Sequence, residues 1–308
     1  MRVASSPPLK LNVTDRIGVR QLRTTVGVQL SGWIAGVCAA PEPNCVLVAD
    51  WSARLVVRMS LATQCLDECI TRVSESDGRV TAVQLLPGAA VRIALILSLN
   101  VGTAGTGLCR HSVRLLARQS HTWNDAHDAI FDNTEENMWG CNGLCVSHGL
   151  LLCAVLQLSR RLVAMEVTSD SKLRAAGTLQ FDSVIKGICA FASSGEQLVA
   201  TTHADNTVRL WRHLATATNS GAIALQQCCS VVSEIWVIQI VCADTGLLVS
   251  NGGDIVQLCK VDGLSIGKPI AQPQLENANI LCWCRVQNTV VAFDLKSASL
   301  LTIGTKTQ

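Results

Sequence analysis

The chain contains no tyrosine and only four phenylalanines among its 308 residues. Seven tryptophans therefore carry most of the aromatic mass. Hydrophobic residues nevertheless reach 49%, so the core must be built mainly from Val, Leu, Ile, Ala and Cys. A chain of this length and apolar content can bury a substantial core, which excludes an intrinsically disordered protein.

Charged side chains are also scarce, at 16% of the residues with a net charge of +2 at pH 7. A protein that binds nucleic acid without sequence preference needs a concentrated positive surface to neutralise phosphates. The composition offers no such excess. We therefore expect no direct contact with nucleic acid.

Long apolar runs are missing, because no uninterrupted run approaches the ~20 residues that a bilayer-spanning helix needs. We expect no membrane span. The first 23 residues hold five basic residues and one acid, Asp15, which faintly resembles a mitochondrial presequence. Pro7-Pro8 and the strand-like residues 26–30 argue against an amphipathic helix there. We expect a flexible segment at residues 1–10 and a cytoplasmic or nuclear protein, with mitochondrial import as the alternative.

The fifteen cysteines are odd in number and spread through apolar runs, without a secretory signal. This usage is typical of reduced thiols that pack as small hydrophobic groups. Cys141, Cys145 and His148 have ligand-like spacing, which leaves zinc as an alternative. No second cysteine pair follows at finger spacing. We therefore expect buried thiols, no metal and no cofactor.

A sustained helical periodicity is absent, and short apolar stretches alternate with Gly, Asn, Asp, Ser or Pro. Such a pattern predicts an all-β chain. The most distinctive stretch, residues 205–211, reads Asp-Asn-Thr-Val-Arg-Leu-Trp, a turn followed by a strand that ends in tryptophan. Residues 50–56 share its acid, its hydroxyl two positions later and its Arg-Leu pair. Weaker copies lie at 110–116, 253–259 and 287–293.

The equivalent positions 52, 112, 207 and 255 are 60, 95 and 48 residues apart, and 95 is about two periods of 47. These intervals lie near the ~40–45 residues of a four-stranded propeller blade. The pattern resembles the WD40-repeat family over essentially the whole chain, residues 1–308. The resemblance implies a single β-propeller of four-stranded blades. We favour seven blades over six, and expect residues 26–30 to close the ring beside residues 299–303.

The WD40 resemblance also implies a polar network of an Asp, a Ser or Thr, a Trp and a His in each blade. Asp205, Trp211 and one of Thr201 or Thr202 match three of these roles, whereas no Gly-His pair precedes the strand that begins near residue 184. We therefore expect the structural blade motif to comprise Asp50, Asp205, Thr207 and Trp211.

One motif suggests catalysis. Residues 263–267, Gly-Leu-Ser-Ile-Gly, fit the nucleophile elbow that presents a serine between a strand and a helix. Pro269 follows instead of a helical pattern, and no histidine lies downstream of His213. We expect Ser265 to occupy a loop and the chain to lack catalytic residues.

Residues 117–138 form the longest stretch without an apolar pattern and are expected to be an insertion between blades. Long polar loops are common places for partner binding. The usual behaviour of such loops favours simple solvation of these charges. If the chain has a distinctive partner site, we expect it there, formed by Trp123, Asp125, His127 and Asp128.

Together these features favour a non-catalytic scaffold subunit that binds other proteins of a larger complex through its loops and faces. The alternative is a WD40-like hydrolase or the specificity subunit of a modification enzyme.

Overall fold

The computed structural model describes residues 10–88, 90–101, 108–120, 122–135, 142–156, 158–193, 195–214, 224–235, 239–243, 246–251, 256–268, 270–272, 275, 280–287 and 289–306. These residues form 26 strands and two 3-10 helices of three residues each, Val19–Gln21 and Glu75–Asp77. The prediction of an all-β chain is confirmed. Among the residues described, no helix is long and apolar enough to cross a lipid bilayer.

The strands group into six blades. Strands β1 (Lys10–Gly18) and β2 (Arg23–Thr24) precede blade 1, which contains β3 (Ile34–Ala39), β4 (Cys45–Asp50), β5 (Leu55–Ser60) and β6 (Cys65–Arg72). Blade 2 contains β7 (Arg79–Leu86), β8 (Arg92–Asn100), β9 (Leu108–Gln119) and β10 (Thr122–Glu135), and blade 3 contains β11 (Asn142–Ser147), β12 (Leu150–Val155), β13 (Arg161–Val167) and β14 (Leu173–Gln180). Blade 4 contains β15 (Ile185–Ser193), β16 (Glu196–His203), β17 (Thr207–Leu214) and β18 (Ala224–Val232). Blade 5 contains β19 (Gln239–Ala243), β20 (Gly246–Ser250), β21 (Val256–Asp262), β22 (Ser265–Ile266) and β23 (Ile270–Ala271), and blade 6 contains β24 (Ile280–Val286), β25 (Thr289–Asp294) and β26 (Ser299–Lys306).

The strands of each blade pair antiparallel, and the first strand of each blade lies innermost. Consecutive strands are neighbours except in blade 5, where β22 and β23 both pair with β21, and β2 adds a parallel strand beside β6 at the edge of blade 1. The six innermost strands, β3, β7, β11, β15, β19 and β24, contact one another in a closed ring. The described residues therefore form a β-propeller of six blades. The sequence allowed six or seven blades, and six are observed. The terminal strands β1 and β26 pair with each other in blade 6 and so do not form a seventh blade.

The ring is closed by β1, which pairs antiparallel with β26 from Lys10 opposite Lys306 to Gly18 opposite Ser299. An N-terminal strand thus completes the last blade, but the expected segment was wrong. Residues 26–30 form no strand; the side chains of Val28 and Leu30 are instead buried in the core between blades 6 and 1. Of the expected flexible segment 1–10, only Lys10 is described, and it begins β1.

The stretch 117–138 is not an insertion between blades in its described part. Residues 117–119 end β9, residues 122–135 form β10, and 136–138 lie outside the described residues. The position of β10 in its blade explains why the sequence suggested an insertion. As the outermost strand of blade 2, β10 has a sheet partner on one edge only among the described strands, and much of its surface lies in water. It therefore tolerates polar residues that resemble a loop in the sequence.

The core is divided into six clusters, one between each pair of adjacent blades. Small residues allow the innermost strands to approach each other. A Cβ on Gly36 would lie 3.2 Å from the backbone of Ala82, and one on Gly143 would lie 2.4 Å from Ile188 Cγ2. The cysteines that the structure describes are all free thiols, and many of them lie in these clusters.

Candidate interaction surfaces

The innermost strands surround a central channel with a cavity of about 460 Å³. Five cysteines line it: Cys38, Cys145, Cys189, Cys242 and Cys284. Burial raises the pKa of Cys38 and of Cys145 to about 12, so these thiols stay protonated and poorly reactive at neutral pH. Within the part of the chain that the structure describes, no group of three or more His, Cys, Asp or Glu side chains is placed to hold a metal ion. The channel cysteines are best understood as packing groups.

A buried polar network links two strands of blade 4. Trp211 Nε1 donates to Thr201 Oγ1 at 2.7 Å, and Thr201 Oγ1 lies 2.8 Å from His203 Nε2. His203 Nδ1 lies 3.4 Å from the carbonyl oxygen of Ser183. A carbonyl can only accept, so Nδ1 carries the proton and Nε2 accepts from the threonine hydroxyl. The network thus contains a neutral histidine.

Thr201, and not Thr202, is the threonine of this network. Its histidine comes from the end of β16 rather than from a segment before the first strand, where the sequence analysis looked for it. The spacing of Thr201 and His203 was an available signal, because residues two apart in a strand share a face.

Asp205 lies beside this network but stabilises the turn between β16 and β17. Its Oδ1 accepts hydrogen bonds from Thr207 N at 3.1 Å and from Thr207 Oγ1 at 2.6 Å. Asp205 and Asp182 both form ion pairs with Arg209, whose side chain is almost buried. Burial raises the pKa of Asp205, but the hydrogen bonds from Thr207 and Arg209 outweigh it and lower the pKa overall. Asp205 and Thr207 therefore fix the turn between β16 and β17.

Asp50 ends β4 and is completely buried. Its carboxylate accepts hydrogen bonds from Ser31 Oγ at 2.6 Å and from Ala53 N at 2.8 Å, which ties the turn after β4 to the segment before β3.

The equivalent residue of blade 6, which was not predicted from the sequence, is Asp294. It ends β25 and accepts hydrogen bonds from Ser297 Oγ at 2.5 Å and Lys296 N at 3.1 Å. The copy assigned to residues 287–293 was one strand too early. The signal was an acid at a strand end, with a hydroxyl residue a few positions later.

No family model matches the sequence, and no curated protein matches it either. Solved structures do match the fold. The β-propeller domain of Myceliophteria thermophila Cps50 (Swd1) is similar with a TM-score of 0.58 and 11% identity, covering 89% of this chain and 83% of that one. A glucose dehydrogenase is similar with a TM-score of 0.64 and 11% identity over 97% of this chain and 100% of that one. A chain of the Mitotic Checkpoint Complex has a TM-score of 0.53 and 13% identity, covering 100% and 96%. At these identities the likeness shows the propeller fold alone.

The nucleophile-elbow motif lies in blade 5. Ser265 is the first residue of the two-residue strand β22, opposite Asp262 across a tight turn, and its side chain is exposed. An elbow requires a helix directly after the serine. The chain instead continues through residues 267 and 268 to β23. Within the described part of the chain, the geometry gives Ser265 no feature of an activated nucleophile.

The four residues predicted to bind a partner all lie on β10, and two of them anchor it to neighbouring blades. Trp123 Nε1 donates to Glu68 Oε1 of blade 1 at 2.8 Å. His127 Nδ1 accepts from Leu173 N of blade 3 at 3.4 Å. These two side chains are thus largely committed to contacts within the molecule.

Asp125 and Asp128 gather around Arg114 of β9. The guanidinium binds Asp128 in a bidentate manner, with Nε to Oδ1 at 3.0 Å and Nη2 to Oδ2 at 2.9 Å. Its Nη1 lies 3.1 Å from Asp77 Oδ2 and 3.6 Å from Asp125 Oδ2. Burial lowers the pKa of Arg114, but the hydrogen bonds that it donates to Asp128 and Asp77 outweigh this effect and raise the pKa. Three carboxylates therefore share one cation.

Two exposed aspartates and an exposed isoleucine lie on one face of β10. Asp125, Asp128 and Ile130 pair with residues 116, 114 and 112 of β9, which places all three on one face of the sheet. Their exposure is 62% and 46% for the two aspartate side chains and 58% for Ile130. We call these three residues the β10 acidic face.

Proposed function

We propose that this chain is a non-catalytic, WD40-like scaffold subunit of a cytoplasmic or nuclear protein assembly, and that it binds a partner through the β10 acidic face. The observation that carries the proposal is the surplus of carboxylates at this face. Three aspartates share Arg114, so two negative charges remain beside an exposed isoleucine. A basic segment with an apolar side chain complements this chemistry.

The position of β10 favours such a contact. It is the outermost strand of blade 2, so among the described strands it has a sheet partner on one edge only. Trp123 and His127 hold it against both neighbouring blades, which reduces the loss of conformational freedom on binding. One similar structure is a chain of the Mitotic Checkpoint Complex, which is compatible with a propeller that works within an assembly.

The enzymatic alternative has weaker support. The resemblance to a glucose dehydrogenase lies at 11% identity and is a likeness of fold. A hydrolase would need an activated nucleophile, and the exposed Ser265 in a short edge strand does not supply one.

The test is affinity purification of the tagged full chain with quantitative mass spectrometry. The variant Asp125→Arg with Ile130→Arg reverses the charge of the β10 acidic face. The matched control changes the same residue types in blade 5, Asp262→Arg with Ile270→Arg, where Ile270 is 46% exposed. We expect stoichiometric partners with the wild type and the control, and their loss with the β10 variant at unchanged thermal stability. Recovery of the same partners with the β10 variant, or of no stoichiometric partner with any chain, would contradict the proposal.

A further inference from the structure

A second surface lies at the blade 1–blade 2 boundary, on the face where the innermost strands begin. Trp33 directly precedes β3 and is 43% exposed, the largest aromatic exposure among the described residues. Trp51 follows β4, and its backbone N donates to the Trp33 oxygen at 2.9 Å. The two rings are 6.5 Å apart and tilted by 47°. Because the backbone fixes both residues, the indoles form a preorganised apolar surface.

A cation from the next blade lies on this surface. Arg79 is the first residue of β7, and its Cζ is 3.8 Å from the centre of the Trp51 ring. A guanidinium that stacks in this way uses its flat face, whereas its N–H donors lie in the plane of the group. The stacked Arg79 therefore retains the fork geometry that matches a carboxylate.

The surrounding charges are mainly positive. Arg54 lies next to Arg79 and pairs with Glu75, whose side chain is 86% exposed. Burial, and then the charge of Arg54, lowers the pKa of Arg79. On the other side, Arg20 covers Gly32, the neighbour of Trp33, and donates from Nε to Ser31 O at 3.3 Å.

Two further carboxylates lie nearby, and both are engaged. Asp50 is buried beneath the surface and accepts from Ser31 and Ala53, and Asp77 binds Arg114. The exposed layer thus contains three arginines and two carboxylates, Glu75 and the partly exposed Asp77. We call Arg20, Trp33, Trp51, Arg54 and Arg79 the tryptophan–arginine patch.

We propose that the tryptophan–arginine patch binds an acidic segment of a partner protein, in which a carboxylate side chain stands next to an apolar one. The carboxylate pairs with Arg79, and the apolar side chain packs on Trp33 and Trp51. Trp and Arg are the residue types that most often dominate binding energy at protein interfaces. This inference rests on the proposed function only in that the occupant is a protein, since the patch and the β10 acidic face are separate surfaces of opposite charge.

The test measures fluorescence anisotropy of a labelled peptide, acetyl-Leu-Glu-Glu-Leu-Glu-Glu-Leu-amide, with the purified full chain. The peptide with Gln in place of every Glu has the same shape and no charge. We expect the Glu peptide to bind about tenfold more tightly than the Gln peptide, and Arg79→Ala and Trp33→Ala each to weaken it about tenfold. Arg79→Lys keeps the charge but not the planar fork, so we expect an intermediate loss.

The matched control is Arg174→Ala on β14, an exposed arginine of blade 3, which we expect to bind like the wild type. Thermal unfolding confirms that each variant is folded. Equal affinity for the two peptides, unchanged binding by Arg79→Ala, tighter binding of a single-stranded DNA oligonucleotide, or self-association that Trp33→Ala abolishes would overturn the proposal. The β10 variant should bind the Glu peptide normally, so failure at one surface does not imply failure at the other.

Discussion

Trp211 Nε1 donates a 2.7 Å hydrogen bond to Thr201 Oγ1, which is completely buried and itself contacts His203. This pair joins β17 to β16 inside blade 4, where water cannot replace a lost partner. The segment 205–211 indicates the repeat in the sequence. Its tryptophan, Trp211, thus has a structural role, because it forms a hydrogen bond inside the blade.

We expect Trp211→Phe to lower the free energy of unfolding by about 1–3 kcal/mol, because it removes the donor and part of the ring. Thr201→Val should cost at least as much, since it leaves Trp211 Nε1 and His203 Nε2 without their partner. Urea unfolding of the purified chain measures both. Trp283→Phe is the control, because Trp283 Nε1 has no hydrogen-bond partner among the described residues. An equal loss for the two tryptophan variants would assign the effect to ring volume instead.

His203 makes the stability of the chain depend on pH. Burial, and then the charge of Arg209, lowers its pKa to about 4, from the ordinary value of about 6.5 in an unfolded chain. Between these values the unfolded state binds more protons than the folded state, so stability falls as the pH falls from about 6.5 to about 4. The full contribution is roughly 3 kcal/mol.

The measurement is the free energy of unfolding in urea at pH 7 and pH 5, for the wild type and for His203→Gln. The variant removes this titration and retains the carboxylates, such as Asp205, that also titrate in acid. We expect the wild type to lose more stability than the variant between the two pH values. Equal losses would show that another group carries the pH dependence.

Arg114 holds together the acidic edge of blade 2. Arg114→Met retains the aliphatic stem but leaves Asp77, Asp125 and Asp128 to repel one another. We expect a loss of about 1–2 kcal/mol at low salt, a modest value because the carboxylates are partly exposed, and a smaller loss in high salt. Arg212→Met is the matched control, since Arg212 binds the neutral Gln226 and should show little salt dependence. Urea unfolding of both variants at two ionic strengths measures how the loss of stability depends on salt.

Most turns and strands that depend on the local sequence pattern were predicted from the sequence. The turn at Asp205 and the strand that follows it, β17, agree with the segment 205–211. The pattern of a turn followed by a strand recurs at a nearly constant interval, and this recurrence predicted a propeller. The outer strands were harder to predict from the sequence. The strand β10, for example, has polar residues on a half-exposed sheet edge, so its sequence resembles a loop.

Long-range relationships could not be read from the chain. Thr14 and Thr302 lie side by side, although 288 residues separate them. Similarly, Trp123 contacts Glu68, 55 residues away, and His127 contacts Leu173, 46 residues away. The sequence located these side chains in one segment but could not reveal that contacts within the molecule already engage them.

The closure of the ring by β1 gives the last prediction. Apart from the chain connection through residues 19–33, blade 6 is joined to blade 1 by non-covalent contacts, and Ile17 of β1 is 3% exposed in the core between them. Thr14 Oγ1 and Thr302 Oγ1 are 2.8 Å apart, and the strands pair from Lys10 to Gly18. Ile17→Ala should therefore cost about 2–4 kcal/mol in urea unfolding.

Deletion of residues 1–18 should have a larger effect, because it also leaves the edge of β26 unpaired and open to association with other chains. A synthetic peptide of residues 10–18 added to the deleted chain should restore its thermal stability and reduce aggregation, since it can pair with the vacant edge. The same peptide with Ile17→Asp is the control and should restore neither, because burying the carboxylate in this core is costly. If the deleted chain were as stable as the full chain, or if both peptides acted equally, β1 would not be the strand that closes the ring.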